Sequence, residues 1–399
     1  MKAFDPQDFI AKQTQEMRKH IGKERALVAV SGGVDSTTSA VLTHKAIGRN
    51  LLCIMLDDAF MRENEPQHIA RLVSEQPLNL PMTVLNVQER FLKALEGLED
   101  AEKKRKAFRE TFYTILGETA MKEKCSVLVQ GTIKADVMET TGGVKTQHNV
   151  LEQMGIDTTK SYGFKVVEPL VSLFKEQVRM VARELKIPSE LAERQPFPGP
   201  GLSVRIVGEV KRDKLDSEKT ATKIVEEHFA RHKPSQYLAA TLDNKASPRP
   251  ANVRLQETAA RFLNVPSRHV ALDILEAKAT GVQEGKRRYG SILTVKAQTM
   301  GGSVHNPSVS SLVALQTRLA TEDPSIIRVF YHVKDTPQKR PYIIAMRAIQ
   351  TADYLTATVS DIPWETLNGA ADQILKTCPN VSGVYYDVTP KPPATVEME

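Results

Sequence analysis

The 399-residue chain predicts an α/β protein: a doubly wound parallel sheet over residues 1–202, followed by an α+β domain over 203–399 that carries the same unit twice, at about 270–336 and 337–399. Three observations predict this. Short apolar runs alternate with helical stretches through the first half, the pattern of parallel strands joined by helical crossovers. The run Arg194-Gln195-Pro196-Phe197-Pro198-Gly199-Pro200-Gly201-Leu202 then interrupts the alternation, and prolines and glycines at this density exclude both helix and central strand. Beyond it the chain repeats itself.

Residues 1 to about 25 read as an amphipathic helix carrying Phe9, Ile10, Met17 and Ile21. The strands that follow are Leu27 to Val30, Asn50 to Leu56, Pro81 to Val87, Ser126 to Val129 and Val166 to Leu170, with helices over 90–121 and 174–186 among the connections. Ligands of such sheets sit at the carboxyl ends of the strands. That rule gathers Ser31, Asp57 and Gln130 at one end. In the second half, Lys286-Arg287-Arg288-Tyr289 precedes a strand, Ile292 to Val295, and Lys339-Arg340-Pro341-Tyr342 precedes another, Ile343 to Met346. A helical segment follows each (309–320 and 363–376), and each unit closes on a tyrosine-bearing strand, with Tyr331 and Tyr386 in matching places. Two copies of a β-helix-β unit are too few for a solenoid. Their sheet leaves edges to be paired, which predicts a homodimer.

The bulk composition narrows the function classes. A hydrophobic share of 41% with 26% charged residues is that of a globular protein. No apolar run approaches the ~20 residues of a membrane span, and the first residues lack a signal-peptide core, so the cytoplasm is the expected location. Cys53, Cys125 and Cys378 stand in unrelated contexts and form no metal spacing. The net charge of +6 is modest, and the basic clusters Lys103–Lys106 and Lys286–Arg288 are not interleaved with aromatic residues, so no nucleic-acid partner is expected. Lys103–Lys106 reads equally well as a solvated helix face or a phosphate contact.

Chemistry concentrates at Ser31-Gly32-Gly33-Val34-Asp35-Ser36-Thr37, directly after the first strand and opening a helix. Free N–H groups at a helix start bind anions, and the glycines let phosphate approach the backbone. Ser31, Ser36 and Thr37 add hydroxyls. Asp35 would repel phosphates unless a divalent cation bridged them, so the pairing of anion nest and carboxylate implies Mg²⁺. The Walker spacing G-x-x-x-x-G-K-[ST] is absent.

This loop resembles the PP-loop of ATP pyrophosphatases, and the wider pattern resembles the ATP pyrophosphatase and dimerisation parts of the GMP synthetase family. The likeness rests on Ser31–Thr37, Asp57–Arg62, Glu102–Lys106, Gln130-Gly131-Thr132 with Asp136 and Glu139, Val144-Lys145-Thr146-Gln147-His148-Asn149, Pro196–Arg205, and Lys391-Pro392-Pro393-Ala394-Thr395-Val396-Glu397-Met398-Glu399. The resemblance implies an adenine nucleotide alpha-hydrolase-like PP-loop domain. It also implies ATP-dependent adenylation of xanthosine monophosphate at its C2 oxygen, followed by displacement of AMP by ammonia. Ser31, Gly32, Gly33, Val34, Asp35, Ser36, Thr37, Gln130 and Gly131 would hold ATP and pyrophosphate, with Asp35 on Mg²⁺. Lys145 would be a lid cation on the reacting phosphate and His148 a site residue, while Asp136 and Glu139 would face the purine. Arg288, Lys391, Thr395 and Glu397 would hold the acceptor nucleotide.

The sequence departs from the family pattern at several places. No glutaminase motif accompanies the three cysteines, so ammonia would come from a separate glutaminase subunit or another nitrogen or sulfur donor. Ala59 stands for a glycine, Ala135 for a proline, Gln147 for the first lid histidine and Met398 for a tryptophan. These changes leave two alternatives open: a paralogue that adenylates another purine nucleotide for thiolation or amidation, with Cys125 a candidate participant, and a catalytically idle nucleotide-binding scaffold.

Overall fold

A computed structural model describes residues 4–141, 157–283, 286–352 and 355–399. The chain forms two compact units, Met1–Ala94 with Lys106–Gly199, and Leu95–Arg105 with Pro200–Glu399.

Through residue 199 the chain runs α1 (Pro6–Ile21), β1 (Ala26–Ala29), α2 (Val34–Ile47), β2 (Leu51–Asp57), α3 (Glu65–Ser74), β3 (Met82–Asn86), α4 (Gln88–Leu95), α5 (Ala101–Lys122), β4 (Val127–Val129), α6 (Lys134–Thr141), α7 (Thr158–Tyr162), β5 (Lys165–Val167), α8 (Lys175–Glu184) and α9 (Ser189–Ala192), and the strands all lie in the first unit. Its five strands are ordered β3-β2-β1-β4-β5, all parallel. Ala26, Val28, Cys53, Met55, Val127 and Val129 share a core with α1, α2, α3 and α8. Leu27, Ile54 and Leu128 alternate to the opposite face and are also buried. Burial on both faces accounts for the unbroken apolar runs that mark these strands. The predicted helix over 90–121 is two helices, separated near Gly97, whose φ of 70° is a conformation open chiefly to glycine. The fifth strand is shorter than predicted, because Pro169 cannot donate to a ladder.

The second unit contains α10 (Arg212–Phe229), β6 (Gln236–Asp243), α11 (Val253–Leu263), β7 (Val270–Gln283), β8 (Lys286–Ala297), α12 (Val309–Glu322), β9 (Ile326–Asp335), β10 (Tyr342–Gln350), β11 (Thr358–Val359), α13 (Trp364–Thr377) and β12 (Val381–Asp387). Its sheet reads β7-β8-β9-β12-β10-β6, with β11 on the end of β10. Pairing is parallel for β8/β9 and β10/β12, and antiparallel for β9/β12 at the centre and for the outer pairs β7/β8 and β6/β10. The two halves are thus related by a pseudo-two-fold through the middle of the sheet. The repeated tyrosines meet there: Tyr331 is the cross-strand partner of Tyr386. Each hydroxyl donates to a carbonyl 2.7–2.8 Å away, Tyr331 to His305 and Tyr386 to Ser360. The structural repeat is larger than the sequence repeat. The half containing β10 and β12 takes in α10 and β6 from ahead of the first copy, and the half containing β8 and β9 adds α11 to the β7 that its copy already holds.

The basic cluster Lys103–Lys106 divides by burial. Lys104 is 0% exposed, and its ammonium donates to the carbonyls of Ile206 (2.7 Å) and Gly208 (2.9 Å) and pairs with Glu399. It is a buried anchor, neither a solvated face nor a phosphate contact.

Candidate functional site

The site is built from the C-terminal ends of β1 and β4 and the first turn of α2. Gly33 caps α2 with φ −75° and ψ 153°, and the helical ladder begins with Thr37 N donating to Gly33 O at 3.1 Å. The amides of Val34, Asp35 and Ser36 precede that first bond, as an anion site requires. Ser31 and Ser36 brace the turn: Ser36 Oγ accepts from Ser31 N at 3.1 Å and lies 3.0 Å from Ser31 Oγ. Gly32 sits at φ 78°, a conformation that strains any side chain, and a Cβ there would also displace Ile69, whose Cδ1 lies 2.2 Å away. Gly131 is required for a different reason. A Cβ at this position would stand 2.8 Å from Ser36 N and 2.9 Å from Asp35 C, so the end of β4 packs directly on the start of α2. Val34 and Thr37 are buried in the unit, below the anion-facing surface.

Asp35 is the chemical centre of this arrangement. Its Oδ2 accepts from Lys175 Nζ at 2.6 Å, while its Oδ1 is buried with no hydrogen-bond partner among the described residues. Burial holds its carboxyl above the usual carboxylate range against the opposing charges of Lys175 and Arg179, and the charge of Asp136 adds to the rise. An orphaned, destabilised carboxylate oxygen next to a second carboxylate fits a hard divalent cation. No group of three or more His, Cys, Asp or Glu side chains among the described residues could hold a metal by itself. Asp35 would therefore share the ion with the phosphates of a nucleotide. Asp136 also receives the amide of Ile133 at 3.0 Å, which fixes the start of α6.

Gln130 is nine-tenths buried and donates from Nε2 to Tyr113 Oη at 2.6 Å. The proline-rich connector borders the loop. Arg194 pairs with Glu65 and approaches Gly32, and Phe197 lies under the Arg62 guanidinium at 4.3 Å. Sequence reasoning missed Lys175. Its only sequence signal is its position at the start of a helix, where lysine is unremarkable.

In the second unit, Arg288 is exposed on β8, and Lys391 forms a two-bond bridge with Ala357 through its backbone. Thr395 and Glu397 face inward. Thr395 Oγ1 accepts from Arg328 Nη2 at 3.1 Å, and the Glu397 carboxylate takes Arg205 through two bonds of 2.9 and 3.0 Å. The two repeat-related tyrosines differ here. Tyr289 is 36% exposed beside Arg288, whereas Tyr342 is 4% exposed with its hydroxyl on Asp213 at 2.9 Å. Lys145 and His148 lie outside the described residues, as does the side chain of Glu139.

Parallel sheet, glycine turn and helix-terminal carboxylate define the class: an ATP-using α/β enzyme of the PP-loop type, joined to a mixed-sheet unit. Residues 7–200 match the NAD synthase family model, and residues 335–398 match the GMP synthase C terminal domain. Proteins named as the B component of glutamine-hydrolyzing GMP synthase align from end to end: 40% identity over 99% of this chain and 100% of the Saccharolobus islandicus protein, 39% over 100% of both for Sulfurisphaera tokodaii, and 36% over 99% and 100% for Methanopyrus kandleri. The chain belongs to this GMP synthase family. The resemblance read from the motifs, the fold class, the ligase assignment and the use of ATP are all borne out.

Proposed function

We propose that this chain is the ATP-consuming part of a two-part GMP synthase acting in the cytoplasm on XMP, with ammonia released from glutamine by a separate glutaminase. A bond forms between the α-phosphorus of ATP and the purine C2 oxygen, and pyrophosphate leaves with the bonding electrons. Ammonia then attacks C2, AMP departs with the oxygen, and a proton is lost to give GMP. The helix-start amides of Val34–Ser36 and the hydroxyls of Ser31 and Ser36 neutralise the departing pyrophosphate. Asp35 would hold Mg²⁺, which would supply further charge neutralisation. Lys145 acts as the cation on the reacting phosphate and His148 takes part in catalysis, Gln130 and Gly131 bind ATP, and Asp136 and Glu139 recognise the purine. Arg288 and Lys391 receive the acceptor nucleotide. Thr395 and Glu397 serve it by holding their segment in register.

The observation that carries this reading is the glycine loop with its half-satisfied Asp35, in a chain that aligns with glutamine-hydrolyzing GMP synthase proteins over its whole length. The thiolation alternative is weakened by the cysteines, all of which are buried. Burial pushes the Cys53 thiol up to about 12 and raises that of Cys125. The test is incubation with ATP, Mg²⁺ and ammonium or sulfide over a panel of purine monophosphates, with pyrophosphate and products measured. GMP from XMP and ammonium is the expected result; pyrophosphate release only with IMP or GMP overturns it. Asp35→Asn and Lys145→Ala are each expected to abolish pyrophosphate release while circular dichroism stays native. Wild-type rates in both would refute the site assignment.

A further inference from the structure

Lys175 is the first residue of α8, and its ammonium crosses 140 residues of sequence to reach Asp35 Oδ2 at 2.6 Å. We propose that Lys175 holds the cation seat on Asp35 while the site is empty, and exchanges onto the nucleotide's phosphates when the divalent ion arrives. This rests on the reading of Asp35 as the metal ligand.

The geometry supports exchange over a fixed structural pair. Lys175 keeps 41% of its side chain exposed and Asp35 keeps 26%, so the pair lies at the open side of the site on a flexible four-carbon stem. Arg179, one turn further along α8, also bears on Asp35 electrostatically, but it is tied to Glu176 at 2.8 Å and approaches Glu193 at 3.9 Å. Of the two cations, the lysine is the one without a second acidic tether among the described residues. Electrostatics then sets the direction of movement. Without metal, the ammonium compensates a carboxylate whose other oxygen has no partner among the described residues. A divalent ion on that carboxylate places two positive charges beside the ammonium, which is repelled. The polyphosphate that accompanies the ion is the nearest anion able to accept it. Metal and nucleotide therefore bind jointly, and the metal alone binds poorly.

Two titrations test this on the whole chain, with Mn²⁺ followed by electron paramagnetic resonance and inorganic pyrophosphate by calorimetry. In Lys175→Met, Mn²⁺ without nucleotide is expected to bind about tenfold more tightly than in wild type, because its competitor is gone. Pyrophosphate in the presence of Mn²⁺ is expected to bind about tenfold more weakly. Lys175→Gln repeats both measurements should the methionine variant fold poorly. Unchanged or weaker Mn²⁺ binding in a folded variant overturns the exchange, whatever happens to pyrophosphate, since a simple phosphate ligand or a structural ion pair would give that result. Asp35→Asn separates the two readings. If Mn²⁺ binding survives it, the metal assignment itself has failed; if binding is lost there but unchanged in Lys175→Met, only the exchange has failed.

Discussion

Ala59 follows the end of β2 with φ 75°, 2% exposed, in a conformation that disfavours side chains. The left-handed region costs a non-glycine residue about 1–2 kcal/mol. Ala59→Gly is therefore expected to raise stability by up to about 1 kcal/mol, the relief being partly offset by glycine's greater unfolded-state entropy. A shift of the urea midpoint to higher denaturant at unchanged slope would confirm it; a lower midpoint would refute it. The opposite experiment applies to Gly131, where Gly131→Ala drives a methyl into the backbone of Asp35 and Ser36. Misplacing the loop by a fraction of an ångström is expected to cut pyrophosphate release about a hundredfold, with far less effect on stability. Retained activity would show that the contact can relax. These residues mark what the sequence could disclose. The loop was legible because Ser31–Thr37 carries its geometry within seven neighbouring positions. The contacts of Gly131 with Ser36, and of Lys175 with Asp35, join distant segments and leave no periodic trace.

At the scale of elements, parallel strands were legible because burial on both faces writes them as unbroken apolar runs, as in Leu27-Val28-Ala29 and Leu52-Cys53-Ile54-Met55. The break between α4 and α5 was not, because two residues decide it within a stretch of otherwise good helix formers: Gly97 ends one helix, and Asp100 caps the next by accepting Lys103 N at 2.9 Å. Helix α10 buries a titratable group that no pattern announces. Glu218 is 0% exposed, with Thr222 Oγ1 and Thr241 Oγ1 donating to its two oxygens at 2.9 and 2.8 Å. Burial raises its carboxyl to about 8, against the opposing charge of Arg205. The folded state thus keeps a proton that the unfolded chain releases above about 4.5. Stability from this group is complete below about 4.5 and falls as the pH rises towards 8, with a slope of ~1.4 kcal/mol per pH unit. Glu218→Gln keeps the neutral shape and removes the titration. The stability difference between wild type and variant is expected to turn against wild type across pH 5–8 in urea titrations. Parallel curves would show that Glu218 is ionised when folded.

Over the whole molecule, the duplication was read from Tyr331 and Tyr386, but its interleaving was not, since α10 and β6 share no motif with α11 and β7. What closes the second unit is the segment Thr395–Glu399, laid on the sheet face opposite its helices. Met398 packs there with Leu238, Phe330, Ile343 and Tyr385. The segment also completes a set of buried cations. Glu397 pairs with Arg205, Glu399 pairs with Lys104, and the carbonyl of Thr395 receives Arg328 and Arg347 at 3.0 and 3.1 Å. Arg328 and Arg347 come from opposite halves of the pseudo-two-fold, and both reach Asp387 Oδ2, at 2.6 and 2.9 Å. Removing one partner of a buried pair costs about 3–5 kcal/mol, because the remaining charge stays desolvated. Deleting residues 395–399 strands Arg205 and Lys104 together, so the expected outcome is loss of cooperative folding in the second unit. Hydrogen exchange would show this as collapsed protection across β6, β9, β10 and β12. Met398→Leu removes little volume and no charge, and is expected to cost less than about 1.5 kcal/mol. If the deletion proved as mild as Met398→Leu, the stranded charges would be reaching water through relaxation, and the segment would not be what closes the unit. A collapse under deletion beside a mild Met398→Leu assigns the closure to the segment as a whole, its ion pairs and its apolar packing acting together, and not to the particular shape of the Met398 side chain.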